Sequence, residues 1–372
     1  MSEQPIDRPY PLKLSPIPVE RVWGGDKLKG LVDRAPSGPV GELWVVWGDL
    51  EVENGPWQGK PLRELVAGHP QAILGGATPA LADALFPLLV KLIDARETLS
   101  VQVHPDDMYA LSHEHQLLGK SEMWYVLDAE PNARIVHGLN RAVTPDELRQ
   151  ALTSGTLGEL LNYVPVTRGD TVIIPAGTIH ALGEGTMVYE LQQSSDLTYR
   201  LFDWNRKPVG GVRRELHVDK SLDVARLDPI ANHKVRSLEI KENGYLRRFL
   251  AACSYFAAEL LTVQSPVTLR PSNRFQIVTV LDGAITLLTK QGDAGRVNVQ
   301  SMGSALIPAA VDEYEIRPAG DEATVLKGYV PDLRRDVMEP LLAAGFAMDD
   351  ILQLGGDPDR SDLKKAMGSD KR

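Results

Sequence analysis

The spacing Gly169-x5-Pro175-x-Gly177-x2-His180 constrains the fold of this chain more than any other feature. A Gly169-Asp170 turn opens it, Thr171-Val172-Ile173-Ile174 is a short β-branched run, and Pro175-Ala176-Gly177 turns the chain again before the histidine. Such punctuation encloses a short strand and fixes where His180 projects. Well upstream, Leu99-Ser100-Val101-Gln102-Val103-His104 alternates like a strand. Leu99, Val101 and Val103 share one face, and Gln102 and His104 share the other. A polar face aimed inward marks these two segments as halves of one metal site.

The second segment matches the cupin pattern at every fixed position from Gly169 to His180. The first resembles the other cupin motif, with Gln102 in place of its first histidine. Cupins are small jelly-roll-like barrels that carry a metal inside, and the resemblance implies Glu122 as the carboxylate ligand. Two imidazoles, a carboxylate and an amide oxygen form a mixed N/O site with an open position, suited to zinc or another first-row divalent ion. The bland alternative for any single histidine is a hydrogen-bonded core or surface residue. His113 and His115 fall there: Asp106 to Leu111 reads as a helix start, and residues two apart on a helix point in different directions. His69, His137, His217 and His233 show no partner pattern.

At 372 residues the chain is expected to hold more than one domain. A net charge of −10 argues against nucleic acid as the main partner, so any bound phosphate is small and locally held. Cys253 is the single cysteine, which excludes an internal disulfide. Met1 to Pro5 lacks the pattern of a signal peptide, and no run of eighteen apolar residues offers a membrane span. The expected setting is the cytoplasm, with no membrane partner and a monomer or homodimer.

The fold class expected is mainly β with helical insertions, built as two cupin-type jelly-roll barrels of which the N-terminal one carries the metal. Strands are expected at Tyr10 to Leu14, Gly41 to Trp47 and Phe86 to Asp94, the last burying Lys91 at a cost unless it is paired or functional. Helices are expected from Pro61 to Val66, from Pro79 to Leu85, between His104 and Glu122, and from Thr144, where Thr144, Pro145 and Glu147 form a start signal. The β pattern restarts near 235, and Asp282-Gly283 reads as a hairpin turn. This gives residues 1–235 as the catalytic domain, 236–331 as a metal-free second barrel, and 332–372 as a tail, helical to about Leu354 and frayed beyond.

Further runs resemble the type I mannose-6-phosphate isomerases, most of all their short bacterial form. The resemblance covers about residues 8 to 331: Pro11-Leu12, Trp23-Gly24-Gly25, Leu99 to Asp107, Gly119-Lys120-Ser121-Glu122-Met123-Trp124-Tyr125, Pro175 to Ala181, and Tyr189 to Arg200. It implies one zinc per chain on Gln102, His104, Glu122 and His180. It also implies Arg200, Lys120 and Glu190 as catalytic groups, and Ser100 and Lys91 where a sugar phosphate is held. Gly41-Glu42-Leu43-Trp44-Val45-Val46-Trp47 departs from the family's Gly-Glu-Ser-Trp followed by polar residues.

The implied reaction interconverts mannose 6-phosphate and fructose 6-phosphate through a cis-enediol. It needs a Lewis acid for the developing enediolate, a cation such as Arg200 beside it, and a base, for which Lys120 and Glu190 are the candidates. Lys120 could instead pair with a surface carboxylate, and Arg200 with Asp196 or Asp203. The rival classes are an iron-dependent dioxygenase using His104, Glu122 and His180, and a non-catalytic sugar-binding cupin. Gln102 and the nearby basic residues favour the isomerase.

Overall fold

The computed structural model describes residues 9–76, 85–206, 214–291, 295–358 and 360–368. The fold is mainly β, with two sheets in each of two compact units. The helix expected over Pro79 to Leu85 falls almost wholly outside the described residues.

One unit comprises residues 18–43 and 91–235. Its six-stranded sheet runs in the order Ile17–Gly25, Val40–Val46, Leu88–Ala95, Thr186–Gln193, Glu122–Ala129, Thr171–Ile174. Its five-stranded sheet runs Tyr199–Phe202, Val101–Val103, His180–Ala181, Arg134–Leu139, Leu161–Pro165. Trp124, Val126, Val172 and Val188 of the first sheet share a buried cluster with Ile135 and Val164 of the second. The five-stranded sheet is apolar on its far side as well, where Val101, Val103, Ile179 and Leu201 pack with Leu148 and Ala151 of the helix Pro145–Ser154. The alternation in 101–104 therefore has a physical cause: the valines meet a covering helix, and Gln102 faces the other way, while Leu99, expected on the valines' face, precedes the strand and packs in the cluster of Trp124.

That helix starts as its sequence dictates. Thr144 accepts from the Glu147 backbone N–H, Glu147 returns a bond to the Thr144 N–H, and Pro145 fills the first turn. Gly155, at φ +76°, closes it in the left-handed conformation that glycine adopts without strain. After His104, a short helical segment Asp107–Tyr109 capped by Asp106 continues as a wider π turn, Ala110–Glu114. His113 and His115 on and after it are exposed, as expected.

The other unit gathers the described parts of 1–17, 44–90 and 236–372. Its seven-stranded sheet runs Leu12–Lys13, Ser304–Ile307, Gln276–Asp282, Ala323–Tyr329, Ala257–Val263, Tyr245–Ala252, Leu238–Glu242. The four-stranded sheet runs Val267–Leu269, Tyr314–Pro318, Ala284–Leu288, Arg296–Gln300, and one apolar cluster is drawn from both.

This division differs from the expected 1–235, 236–331 and 332–372. Leu12 pairs with Leu306, and the Phe86 ring lies 4.8 Å from that of Phe275. Ala309 donates its N–H to the Ile73 carbonyl at 3.0 Å. The early segments thus complete a sheet and core whose other members come from the C-terminal half. The tail also differs: after helices to Leu352 it forms another, Asp362–Gly368, tied by the Asp362 carboxylate accepting the Ser254 N–H at 3.0 Å.

Asp282-Gly283 is not a hairpin. Gln276–Asp282 belongs to the seven-stranded sheet and Ala284–Leu288 to the four-stranded one, so the chain crosses between sheets there. Gly283, at φ +75°, leaves no room for a side chain: a Cβ would sit 2.8 Å from the Glu322 carbonyl oxygen.

Inside this unit lies a buried ion cluster. Glu259 is fully buried, paired in register with Lys327, and its carboxylate meets Lys327 Nζ at 2.8 Å, two guanidinium nitrogens of Arg247 at 2.7 and 2.9 Å, and the Tyr329 hydroxyl. Burial alone would raise the Glu259 pKa, yet Lys327 and Arg247 hold it down at about 2.

Candidate metal centre and active-site cavity

His104, Glu122 and His180 are all buried, and one ligand atom from each lies within 4.8 Å of the others. Each imidazole is oriented by a backbone carbonyl: His104 Nδ1–H donates to Leu197 O at 2.8 Å, and His180 Nδ1–H to Thr178 O at 2.8 Å. The Nε2 lone pairs are thereby turned toward the Glu122 carboxylate, which lies 3.6 Å from His104 Nε2 and 3.2 Å from His180 Nε2. His104 Nε2 is buried and makes no hydrogen bond among the described residues, and the Glu122 carboxylate, beside His180 and Lys120, keeps lone pairs to spare. Two inward lone pairs and a carboxylate with unfilled acceptor capacity are the donor set of a divalent cation.

Gln102 enters through strand register. It stands opposite His180 on one side and Arg200 on the other, and directly opposed residues project to one face of a sheet. The amide of Gln102 lies 3.2 Å from His180 Nε2. Amide oxygen and nitrogen exchange places by a half-turn of the group, which brings an oxygen ligand to the same point. The four expected ligands therefore converge.

Lys120 lies against this group, its ammonium 2.9 Å from Glu122 Oε2 with both side chains buried. Burial would lower its pKa, but Glu122, Glu190 and Asp196 raise it above the ordinary lysine value. Glu122 is held well below the carboxylate range: burial opposes its charge, and Lys120 and His104 more than offset that. Burial, then Lys120, drives His104 strongly toward the neutral form, the form that ligates metal. Lys120 is thus no surface lysine.

Glu190 accepts the Trp124 indole N–H at 2.9 Å on Oε2, and its Oε1 has no hydrogen-bond partner among the described residues. Burial, followed by the Glu122 charge, raises its pKa. Lys91 lies 3.7 Å from Glu190, 3.8 Å from Glu42 and 3.5 Å from Asp196, so the charge buried in strand 88–95 is matched by three carboxylates.

Gln102, Lys120, Glu190, Lys91, Glu42 and Asp196 line a cavity of about 380 Å³, together with Arg21, Ser100, Arg200, Arg214 and His217; His104, Glu122 and His180 lie behind its wall. Arg200 Nε–H donates to Ser100 Oγ at 3.2 Å and Nη1–H to the Glu215 carbonyl at 3.0 Å. Asp203, offered by the sequence as a structural partner for Arg200, is instead bonded by Arg206 and Arg214.

The cavity thus holds Lys120, Glu190, Arg200, Ser100 and Lys91 as expected, and adds residues that sequence reasoning passed over. His217 had no partner pattern, because its partner is the Arg200 backbone from a distant strand. His137 and His233 partner each other, with Nδ1 atoms 3.2 Å apart. Trp124 was legible only as part of a resembling run. Glu42, in the departing segment, faces the cavity and pairs with Arg21 at 2.8 Å, and Leu43 beside it is buried in the core. Among the described residues no helix is long and apolar enough to cross a membrane.

Residues 12–135 match the family model "Phosphomannose isomerase type I, catalytic domain". A mannose-6-phosphate isomerase of Bacillus subtilis is 38% identical over 324 residues, which are 86% of this chain and 96% of the relative. One from Streptococcus mutans is 38% identical over 278 residues, 73% of this chain and 85% of the relative. The crystal structure of a Bacillus subtilis mannose 6-phosphate isomerase superposes with a TM-score of 0.78 at 30% identity, covering 86% of this chain and 99% of that one.

Proposed function

This chain belongs to the type I phosphomannose isomerases and is a mannose-6-phosphate isomerase, and from that premise we propose that it holds one zinc ion on Gln102, His104, Glu122 and His180 and acts through a cis-enediol. The observation that carries this reading is the buried group His104, Glu122 and His180, with ligand atoms within 4.8 Å of one another, joined through Gln102, Lys120 and Glu190 to the neighbouring cavity wall. Zinc, when bound, would supply Lewis acidity to the reacting oxygens of the sugar.

The chain's own residues do the rest. Glu190 is the base that moves the proton between C1 and C2: Trp124 fixes one oxygen, the other, 3.7 Å from Lys91, accepts no hydrogen bond among the described residues, and the raised pKa brings the carboxylate closer to neutrality, where proton transfer is most effective. Lys120, held protonated by three carboxylates, does not compete as a base; it balances Glu122 and offers positive charge to the enediolate. Arg200 borders the same face and orients the sugar.

Two facing sheets in each unit support the reading of two cupin-type barrels. We place the enzyme in the cytoplasm as a monomer or homodimer acting on a small sugar phosphate, without nucleic acid or membrane partners. The test is metal analysis together with a coupled assay run without oxygen. Stoichiometric zinc and oxygen-independent isomerisation are expected, with turnover and zinc lost in His180→Ala. Iron with oxygen uptake, or full activity in His180→Ala, defeats the metal assignment.

A further inference from the structure

We propose that His137 is a positioning residue for the metal centre: it ties the strand beside His180 to the strand beside Glu122, and so holds those two ligands at metal-binding separation. This rests on the metal reading above and adds to it a residue outside the ligand set.

The strand places the ring. Ile135 belongs to the cluster between the two sheets of its unit and Val136 to the cluster on the far side, so His137 turns inward again and is buried. It stands directly opposite His180, and directly opposed residues share a face. The register then slips. Val136 pairs with Tyr163 and Leu139 with Leu161, which sets His137 and Gly138 together against Asn162. Two residues against one is a β-bulge, and the Asn162 side-chain amide donates to the His137 carbonyl there at 3.3 Å.

The hydrogen bonds then fix every proton. His137 Nε2 faces the Ile173 carbonyl at 3.2 Å; a carbonyl only accepts, so Nε2 carries the proton and Nδ1 a lone pair. His233 Nδ1–H donates to that lone pair at 3.2 Å, and His233 Nε2 accepts from the Asn162 amide at 3.1 Å. Burial, then the neighbouring His233, pushes the His137 pKa down to about 3, so the ring is neutral and the chain of bonds is complete without a charge.

The acceptor is what links this chain to the metal ligands. Thr171–Ile174 is the last strand of the six-stranded sheet, Leu161–Pro165 is the last of the five-stranded one, and among the described residues no strand pairing joins these edges. The outward carbonyls of the first edge belong to Thr171 and Ile173. Val235 N–H takes the Thr171 carbonyl at 2.8 Å, and His137 Nε2–H takes that of Ile173. The next residue, Ile174, stands opposite Glu122. One imidazole therefore spans from the neighbour of His180 to the neighbour of Glu122, whose carboxylate lies 3.2 Å from His180 Nε2. An apolar side chain in its place would leave the Ile173 carbonyl unbonded and that span open.

The experiment measures zinc dissociation constants by chelator competition, with the absorption spectrum of the cobalt-substituted proteins as a record of ligand geometry. His137→Leu is expected to weaken zinc about 10- to 100-fold, the usual scale for a group that orients metal ligands, and to shift the cobalt bands. His137→Gln, which keeps an N–H for the Ile173 carbonyl, is expected to recover most of that loss. Glu259→Gln, a change in the other unit, is expected to keep the wild-type zinc constant. Wild-type zinc affinity in His137→Leu, or an equal loss in Glu259→Gln, overturns the proposal. If His137→Leu does not fold, the wild type decides. Coupling is reciprocal, so zinc should slow solvent exchange of the His137 Nε2–H by a similar factor, and exchange that zinc leaves unchanged overturns the proposal. A wild type that binds no zinc defeats the metal reading instead, so the two failures are distinguishable.

Discussion

Replacing Lys120 by methionine keeps the side chain's length and removes its charge. In the wild type the ammonium lies 2.9 Å from Glu122 Oε2, and both groups are buried. Coulomb's law at an effective dielectric of about 20 gives roughly 6 kcal/mol for charges at that separation. Breaking a buried pair by removing one partner costs about 3–5 kcal/mol, because the remaining charge is left desolvated. For a unit of this size that lowers Tm by about 2–4 °C per kcal/mol, a drop between about 6 and 20 °C in protein stripped of metal. The cost depends on pH with a definite sign. Without Lys120 the largest opposition to burial of the Glu122 charge is gone, so its folded pKa lies above that in the wild type. The variant's deficit against the wild type is therefore smallest in acid, where Glu122 is protonated, and grows as pH rises. Zinc at about 100 times its dissociation constant adds roughly 2.7 kcal/mol to the wild type, and should add more to the variant, whose Glu122 has no ammonium beside it. The assay is thermal unfolding of chelator-treated and zinc-loaded protein between pH 5 and pH 8. Stripped Lys120→Met melting within about 2 °C of the wild type at neutral pH would refute the reasoning.

Two further outcomes follow from other groups. Glu190→Gln should lower kcat by about 10²- to 10⁴-fold with zinc content unchanged, the usual scale for loss of a general base; activity within a few-fold of wild type would remove Glu190 from that role. Glu259, held at about 2 against an ordinary 4.5, contributes stability that is fully present above about pH 4.5 and lost as pH falls toward 2. Glu259→Gln should therefore lower Tm at neutral pH, by the equivalent of about 3–5 kcal/mol, and flatten the acid limb of Tm against pH; an unchanged limb would mean the cluster does not control acid unfolding.

The site was more legible in the sequence than the chain's packing. Strand alternation around Gln102 and the turns around His180 are local, and local rules suffice to aim those side chains. Which strand pairs with which is set by contacts distant in sequence. Asp282-Gly283 has the residues of a hairpin turn, yet a turn signal says only that the chain reverses or bends, not that its flanks are partners. The early strand around Leu12 was legible, but its partner Leu306, and so its place in the other unit, was not, for the same reason. His217 and Arg214 were invisible because nothing near them in sequence repeats or alternates; only the Tyr199–Phe202 strand brings them to the cavity.

The row of Arg200, Gln102 and His180 has a consequence for how such an enzyme can vary. Each strand contributes one member, and a shift of one residue turns that strand's whole set to the opposite face. Point substitutions in these strands can be graded in effect, whereas a single-codon insertion or deletion within Val101–Val103 or Tyr199–Phe202 turns Gln102 or Arg200 away from the face they share. Length variation that survives selection is therefore confined to the connections between strands, and alignments of active descendants should show gap-free blocks over these strands.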